Sequence, residues 1–110
     1  MKIALSSSDN SPAAILDPRF GRCAYFAIYD SDTLQTEFIV NPHRETSEGA
    51  GPATVQYVLE RGVCTVVSGA FGSKVLRLLE ELKVQPIAVG NEHRSIKECI
   101  GMLFPSASEA

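Results

Sequence analysis

The chain has 110 residues, of which 45% are hydrophobic and 21% are charged, and its formal net charge is -3 at pH 7. These values fit one globular domain and give no support to binding of nucleic acids or anionic membranes. No apolar run approaches the roughly 20 residues that span a bilayer, and the opening residues form a predicted strand rather than a signal peptide. We therefore expect a cytoplasmic protein without a membrane partner.

The first half of the sequence predicts three strands. Residues 2–6 are an apolar run typical of a central strand, and residues 8–23 form a long polar loop. Residues 24–30 and 34–40 are rich in aromatic and branched side chains and are separated by a turn of composition Asp-Ser-Asp-Thr. This pattern predicts a β-hairpin.

Helices alternate with strands in the second half. Pro52 suits the first turn of a helix, and Gly62 suits the left-handed residue that ends it. Ser95 and Glu98 have the spacing of a capping box, which marks the start of the last helix. The other predicted elements are a strand over 63–68, a helix over 73–83 and a strand over 85–89.

This order of elements predicts an α/β fold with three layers, α/β/α. The later strands are connected through helices and are expected to run parallel, whereas the hairpin adds an antiparallel part. We therefore predict a mixed five-stranded sheet with helices on both faces. A single domain over residues 1–104 and a short C-terminal tail over 105–110 complete the predicted organisation.

The segment that most resembles a binding site is Asp17–Cys23, which carries two arginines, a glycine and a cysteine. Guanidinium groups bind anions, and a cation next to a cysteine lowers its pKa and favours the thiolate that binds metals. We therefore predict an anion-binding loop, with Cys23 beside Arg22 as a candidate metal ligand. An ion pair between Arg19 and Asp17 is the structural alternative.

Two glycine-containing loops are predicted at the same end of the sheet, beyond the carboxyl ends of the parallel strands. Glycines there allow backbone N–H groups to approach an anion near helix N-termini, although a tight strand-to-helix turn explains them as well. Gly49-Ala50-Gly51 begins like a dinucleotide-binding motif, but Thr54 stands where that motif needs its third glycine. The candidate ligand-binding residues are Arg19, Phe20, Gly21, Arg22, Gly49, Gly51, Gly69 and Gly72.

Several of the remaining candidates have ordinary structural explanations. Phe20 is interpreted as a hydrophobic plug of its loop rather than as a ring that stacks on a ligand. Cys64 and Cys99 are expected in the core. His43, a further candidate metal ligand, and His93 are interpreted first as solvated side chains. The sequence has no nucleophile elbow, no Walker loop and no convergent carboxylates on its strands, so no catalytic activity is predicted.

Four features occur in series along the chain. They are the opening Met-Lys-Ile-Ala, Asp17-Pro-Arg-Phe-Gly-Arg22 before an aromatic strand, Gly49-Ala-Gly-Pro52 at a helix start, and Gly69-x-x-Gly72 after a strand. In this order the chain resembles, over about residues 1–103, the dinitrogenase iron–molybdenum cofactor biosynthesis family of the NifX and NifB C-terminal type.

The resemblance implies a ribonuclease-H-like fold without nuclease activity. It also implies a small, non-catalytic carrier or chaperone for anionic iron–sulfur or molybdenum–iron–sulfur clusters, with cluster-donor or acceptor proteins as partners. Two other functions are compatible with the same residues. One is a binding module for a phosphorylated or nucleotide ligand. The other is a protein-interaction domain with a vestigial pocket, in which the hairpin over 24–40 pairs at its edge with a partner or a second copy.

Overall fold

The computed structural model describes residues 1–45, 50–90 and 93–105. The predicted candidate Gly49 and, apart from Pro105, the predicted tail over 105–110 lie outside these residues. None of the helices in the described ranges has both the length and the apolar character that a membrane crossing requires. The elements are β1 (Lys2–Ser7), β2 (Tyr25–Asp30), β3 (Gln35–Val40), α1 (Ala50–Leu59), β4 (Val63–Ser68), α2 (Ser73–Glu81), β5 (Gln85–Ala88) and α3 (Ile96–Leu103).

The strands form one mixed sheet in the order β3-β2-β1-β4-β5. The hairpin strands β2 and β3 are antiparallel, and β2 also runs antiparallel to β1. Strand β4 runs parallel to both β1 and β5. The predicted mixed five-stranded sheet is confirmed, whereas the ribonuclease-H-like label stays a prediction.

Helices cover both faces of the sheet, as predicted. Successive side chains of a strand point to opposite faces, so Ala4 of β1 joins one hydrophobic core while Ile3 and Leu5 join the other. Helices α1 and α2 pack on the first core through Val55, Val58, Val75 and Leu79. Helix α3 packs on the second core through Ile96, Cys99 and Ile100.

Helix ends follow their local signals closely. Helix α1 begins at Ala50, so Pro52 lies in its first turn, where a missing N–H has no helical partner to lose. Gly62 has a φ of 78°, the left-handed conformation expected after the helix. The capping box of α3 is complete: the Ser95 hydroxyl accepts from the N–H of Glu98, and the Glu98 carboxylate accepts from the N–H of Ser95.

The prediction of a buried Cys64 is wrong. Lys2 of β1 lies opposite Val63, but the next residue of β1, Ile3, lies opposite Thr65. Cys64 is therefore the extra residue of a β-bulge, which interrupts the alternation of the strand. Val63 remains buried, while Cys64 is exposed. Cys99 is buried as predicted.

Candidate functional site

The long loop over residues 8–23 crosses the carboxyl ends of β1 and β4. The Ser6 hydroxyl donates to the carbonyl oxygen of Asp17 over 2.8 Å, and the Asp17 N–H donates to the carbonyl oxygen of Ser6 over 2.8 Å. The Ser68 hydroxyl lies 2.9 Å from that of Ser6, and both serines are fully buried. The role of these two serines in positioning the loop was not predicted. The pattern that could have indicated this role is a serine at the end of each apolar strand.

Gly69 joins this loop to the connection between β4 and α2. Its N–H donates to the Asp17 carbonyl oxygen over 3.2 Å, and the N–H of Ala70 donates to the Pro18 carbonyl oxygen over 2.8 Å. A Cβ atom on Gly69 would lie 2.5 Å from Cα of Pro18 and 2.9 Å from the carbonyl oxygen of Gly90. Close backbone packing therefore explains Gly69 without a ligand.

Both predicted arginines have partners within the protein. Arg19 Nε lies 3.5 Å from Oδ1 of Asp17, and the backbone N–H of Arg19 donates to the same oxygen over 2.8 Å. Arg22 Nη1 donates to the carbonyl oxygen of Arg44 over 3.0 Å. The Arg19 side chain remains 64% exposed, so its ion pair leaves most of its surface in contact with solvent.

Phe20 is a hydrophobic plug. The residue is only 2% exposed, and its ring centroid lies 5.4 Å from that of Phe26 and 5.4 Å from that of Phe71. The interpretation as a plug is confirmed. Because protein rings pack on it, Phe20 does not offer a face on which a ligand can stack.

Cys23 corrects the expectation of a reactive thiolate. Its side chain is fully buried, and its Sγ donates to the carbonyl oxygen of Phe20 over 3.3 Å. Burial raises the pKa of the Cys23 thiol to about 12, and the Asp17 carboxylate adds to this increase. The predicted lowering of its pKa by Arg22 is wrong, because the thiol enters the core while the guanidinium group reaches Arg44.

The histidine candidate lies beside the loop rather than within a group of ligands. His43 is half-buried, and its ring lies edge-on to Tyr57 at a centroid distance of 6.1 Å. The backbone N–H of His43 donates to Oδ1 of Asn41, whose Nδ2 donates to the carbonyl oxygen of Cys23 over 2.9 Å. Within the described ranges, no three or more His, Cys, Asp or Glu residues form a group that could hold a metal ion.

The N-termini of α1 and α2 meet at an open cleft of about 460 Å³. Gly51 permits this approach, since a Cβ atom there would overlap Cγ2 of Val75. Gly21 packs on the same wall, because its own Cβ would lie 3.4 Å from Cα of Gly51. The lining residues are Ala50, Gly51, Pro52, Gly72, Ser73, Lys74 and Val75.

The described residues around the cleft give it an electrostatic environment that favours anions. Gly72 is the N-cap of α2 and provides no side-chain hydrogen bond to the helix, and neither helix has an acidic residue in its first turn. Helix N-termini carry partial positive charge and uncompensated N–H groups, which bind anions. The exposed Lys74 adds a full positive charge. Lys74 was not predicted as a site residue. A lysine in the first turn is unfavourable next to the positive end of the helix dipole, and this pattern could have indicated a binding role.

The structure thus divides the predicted residues. Gly51 and Gly72 line the cleft, and Gly21 packs against the Gly51 wall. Arg19 and Arg22 are not among the described residues that line it. The cleft therefore depends on backbone groups and on Lys74 more than on the loop that stands out in the sequence.

A family model described as dinitrogenase iron-molybdenum cofactor matches residues 1–105. The apo form of the orange protein from Desulfovibrio gigas is 22% identical, with a TM-score of 0.86 over 96% of this chain and 88% of that chain. A putative NifB protein from Thermotoga is 23% identical, with a TM-score of 0.78 over 96% of this chain and 89% of that chain. A putative dinitrogenase from Methanocaldococcus jannaschii is 14% identical, with a TM-score of 0.61 over 97% of this chain and 90% of that chain.

These three structures share the fold with the chain, and at such low identity they show the fold alone. No curated protein sequence matches the chain. The family model covers nearly all of the sequence, including every strand and helix of the described ranges. The chain therefore belongs to the dinitrogenase iron–molybdenum cofactor family.

Proposed function

We propose that the protein is a non-catalytic carrier of an anionic metal–sulfur cluster, which it holds at the cleft between the N-termini of α1 and α2. The observation that carries this proposal is the convergence of two helix N-termini on one cleft beside an exposed lysine. Family membership supports an iron–sulfur or molybdenum–iron–sulfur cluster as cargo, because the family is named for the iron–molybdenum cofactor.

Backbone groups and one side chain would hold the cargo. The N–H groups of Ser73 and Lys74 belong to the first turn of α2, where helix geometry supplies no carbonyl partner. A Cβ atom built on Gly72 would meet nothing within 4 Å, so a bulky anion can approach this backbone. The charge of a single helix N-terminus stabilises an anion by about 0.3–1 kcal/mol at an exposed site, and two helix ends with a lysine increase that contribution.

The proposed mode of binding does not require a protein thiolate. Cys23 is buried and, with a pKa of about 12, keeps its proton at neutral pH. Among the described residues, those that line the cleft include no cysteine, histidine or carboxylate. This composition supports a role in holding a cluster whose metal ligands are already complete, and it supports the non-catalytic part of the proposal.

The openness of the cleft supports transfer of the cargo. It lies at the surface between two helix ends rather than inside the core, so another protein can reach a bound cluster. We propose cluster-donor or acceptor proteins as partners, and the cytoplasm as the place of this exchange.

Anaerobic reconstitution tests the proposal. The protein is incubated with ferrous and ferric iron, sulfide and a small thiol that completes the coordination of the iron, with and without molybdate, then passed through a gel-filtration column and examined by visible absorption and metal analysis. We expect charge-transfer absorption that elutes with the protein, and we expect Lys74→Ala to retain much less of it. Cys23→Ala should retain the cluster, since the thiol is not a ligand in this proposal.

Lys2→Ala is the matched control, because it removes an exposed lysine at the amino end of β1, the opposite end of the sheet. Equal losses in Lys74→Ala and Lys2→Ala would contradict the cleft as the site. Absence of any protein-bound chromophore would contradict the carrier function. A phosphate group would use the same donors, so a rise in melting temperature with ADP, and none with any cluster, would assign the cleft to a phosphorylated ligand.

A further inference from the structure

The two edges of the sheet differ in how well they are protected against pairing with another strand. At one edge, β5 is only four residues long and contains Pro86. Successive residues of a strand direct their backbone groups to alternate sides, and the N–H of Val89 donates to the carbonyl oxygen of Ser68. Pro86 therefore faces away from β4. A short strand whose outward residue has no N–H is a poor template for a further strand.

The opposite edge is β3, and it lacks such protection. This strand has six residues without a proline, and its register with β2 runs without a bulge. Among the described residues, no backbone bridge reaches its outer side. Val40 is 58% exposed, and Leu34 in the adjoining turn is 50% exposed, so both ends of the edge present apolar side chains. An unpaired edge of this kind is a template for another strand.

The hydrogen bonds of the hairpin identify the backbone groups of β3 that face outward. The N–H of Asn41 donates to the carbonyl oxygen of Ala24, next to the paired residues of the hairpin. Hydrogen-bonded and non-hydrogen-bonded pairs alternate along an antiparallel ladder, so the odd-numbered residues of β3 bond to β2. The outward N–H and C=O groups are then those of Thr36, Phe38 and Val40.

We propose that a second copy of this chain pairs with the outer edge of β3, antiparallel to it, so that the two sheets join into one. Phe38 would lie on the two-fold axis, opposite Phe38 of the second copy, and Thr36 would lie opposite Val40 of the second copy. Every outward N–H and C=O group of these residues then has a partner. This interface is separate from the cleft of α1 and α2, and the inference does not rest on the proposed function.

The strand is complementary to itself in this register and not in the neighbouring ones. A shift that places Thr36 opposite Phe38 would bring Glu37 directly opposite Glu37 of the second copy, and like charges there are destabilising. The opposite shift would place Thr36 against Pro42, which has no N–H to donate. In the proposed register Glu37 lies opposite Ile39 of the second copy. The two Phe38 rings would meet on the face that α3 covers, where an aromatic pair stabilises the contact.

Sedimentation velocity of the whole protein over a range of concentrations tests this interface. We expect the wild type to change from monomer to dimer as its concentration rises. Val40→Pro removes an outward N–H that has no partner among the described residues, so it should raise the Kd of the dimer at least about tenfold. The melting temperature of the dilute monomer should stay close to that of the wild type. Val40→Thr is the matched control, because it keeps the N–H and the preference for a strand.

Two results would overturn the inference. One is a wild-type protein that stays monomeric at every concentration, which is also the outcome if the edge pairs only with a strand of another protein. The other is an equal Kd for Val40→Pro and Val40→Thr, which would show that backbone pairing at β3 does not hold the dimer.

Disulfide cross-linking tests the register. In a Cys64→Ala background, which removes the exposed thiol, Thr36→Cys and Val40→Cys together would place thiols of the two copies opposite each other. The Cα atoms of such a pair lie about 5.5 Å apart, a distance that a disulfide spans. We expect covalent dimers on mild oxidation, and much slower formation with Thr36→Cys alone. Equal rates in the two variants, or no covalent dimer in either, would overturn the register.

Discussion

The N-termini of α3 and α2 both have backbone N–H groups without a partner inside the helix, but the two helix ends are capped in opposite ways. At α3, Ser95 and Glu98 exchange hydrogen bonds with the first turn, and Glu98 places a negative charge at the positive end of the helix dipole. At α2, the cap is Gly72, which makes no side-chain hydrogen bond, and Lys74 places a positive charge in the first turn.

This difference separates a structural helix end from a candidate binding site. At α3 the capping box pairs the N–H groups of Ser95 and Glu98. The N–H groups of Ile96 and Lys97 donate to the carbonyl oxygens of Ala14 and Pro12, so nothing is left for a ligand at that position. The N-terminus of α2 lacks this stabilisation. Its positive charge and the open space beside Gly72 suit an anion, which would take the place of a cap. A helix end that lacks its cap is therefore informative where a second helix end, here that of α1, meets it at the same cleft.

The largest effect on stability should come from the close backbone contact at Gly69, in the connection between β4 and α2. Gly69 lies between Cα of Pro18 and the carbonyl oxygen of Gly90, at distances that leave no room for a side chain. Both neighbouring atoms are backbone, so we expect Gly69→Ala to lower the free energy of unfolding by about 2–3 kcal/mol in urea denaturation. Gly72→Ala is the matched control, because a Cβ there meets nothing within 4 Å. Equal losses in the two variants would contradict this packing argument.

The most direct test of this difference is a substitution that gives α2 a side-chain cap like that of α3. In Gly72→Asp the new carboxylate would cap the helix and repel an anion in the cleft. We expect a small gain in stability, and at least about a tenfold loss of affinity for the cluster in the reconstitution assay. Gly72→Asn caps equally well without charge and should retain more cargo. Full retention of the cluster by Gly72→Asp would exclude this cleft as the site.

The reverse change removes the cap from α3. Ser95→Ala eliminates the hydroxyl that accepts from Glu98, and we expect it to lower the free energy of unfolding by about 1 kcal/mol. Cluster retention should not change, because α3 is on the other face of the sheet. Ser73→Ala is the control at α2, where the cap makes no side-chain bond, and should have little effect on unfolding. A loss of cargo in Ser95→Ala would show that the two helix ends are not independent.

A smaller effect is expected from the alkaline titration of Cys23, which lies in the core that α1 and α2 cover. The thiol pKa rises from 9.0 to about 12 in the folded protein. Between these values the unfolded chain binds fewer protons than the folded one, so the free energy of unfolding falls as pH rises above 9.0. Urea midpoints at pH 8 and pH 10 should therefore decrease less in Cys23→Ala than in the wild type. Cys64→Ala, at the exposed cysteine, should keep the wild-type decrease.

Most of the fold was predictable because its signals are local or periodic. The hairpin strands follow from two apolar runs around a polar turn, and both appear within a residue of their predicted bounds. The mixed sheet follows from the order of the elements, since parallel neighbours need helical connections. The candidate site was less accessible to prediction: Gly51 and Gly72 line the proposed cleft, but Lys74 was not among the predicted residues and Arg19 has an intramolecular partner.

The sequence by itself determined features that depend on a few neighbouring residues, such as the capping box at Ser95 and the left-handed Gly62. Tertiary structure decided whether a side chain faces water, the core or a ligand. Cys23 became a buried, protonated thiol and Cys64 an exposed bulge residue, although both lie beside apolar strand residues in the sequence. The reason is physical: hydrogen bonds of caps and turns span three or four residues, whereas burial and electrostatic environment depend on distant segments that the fold brings together.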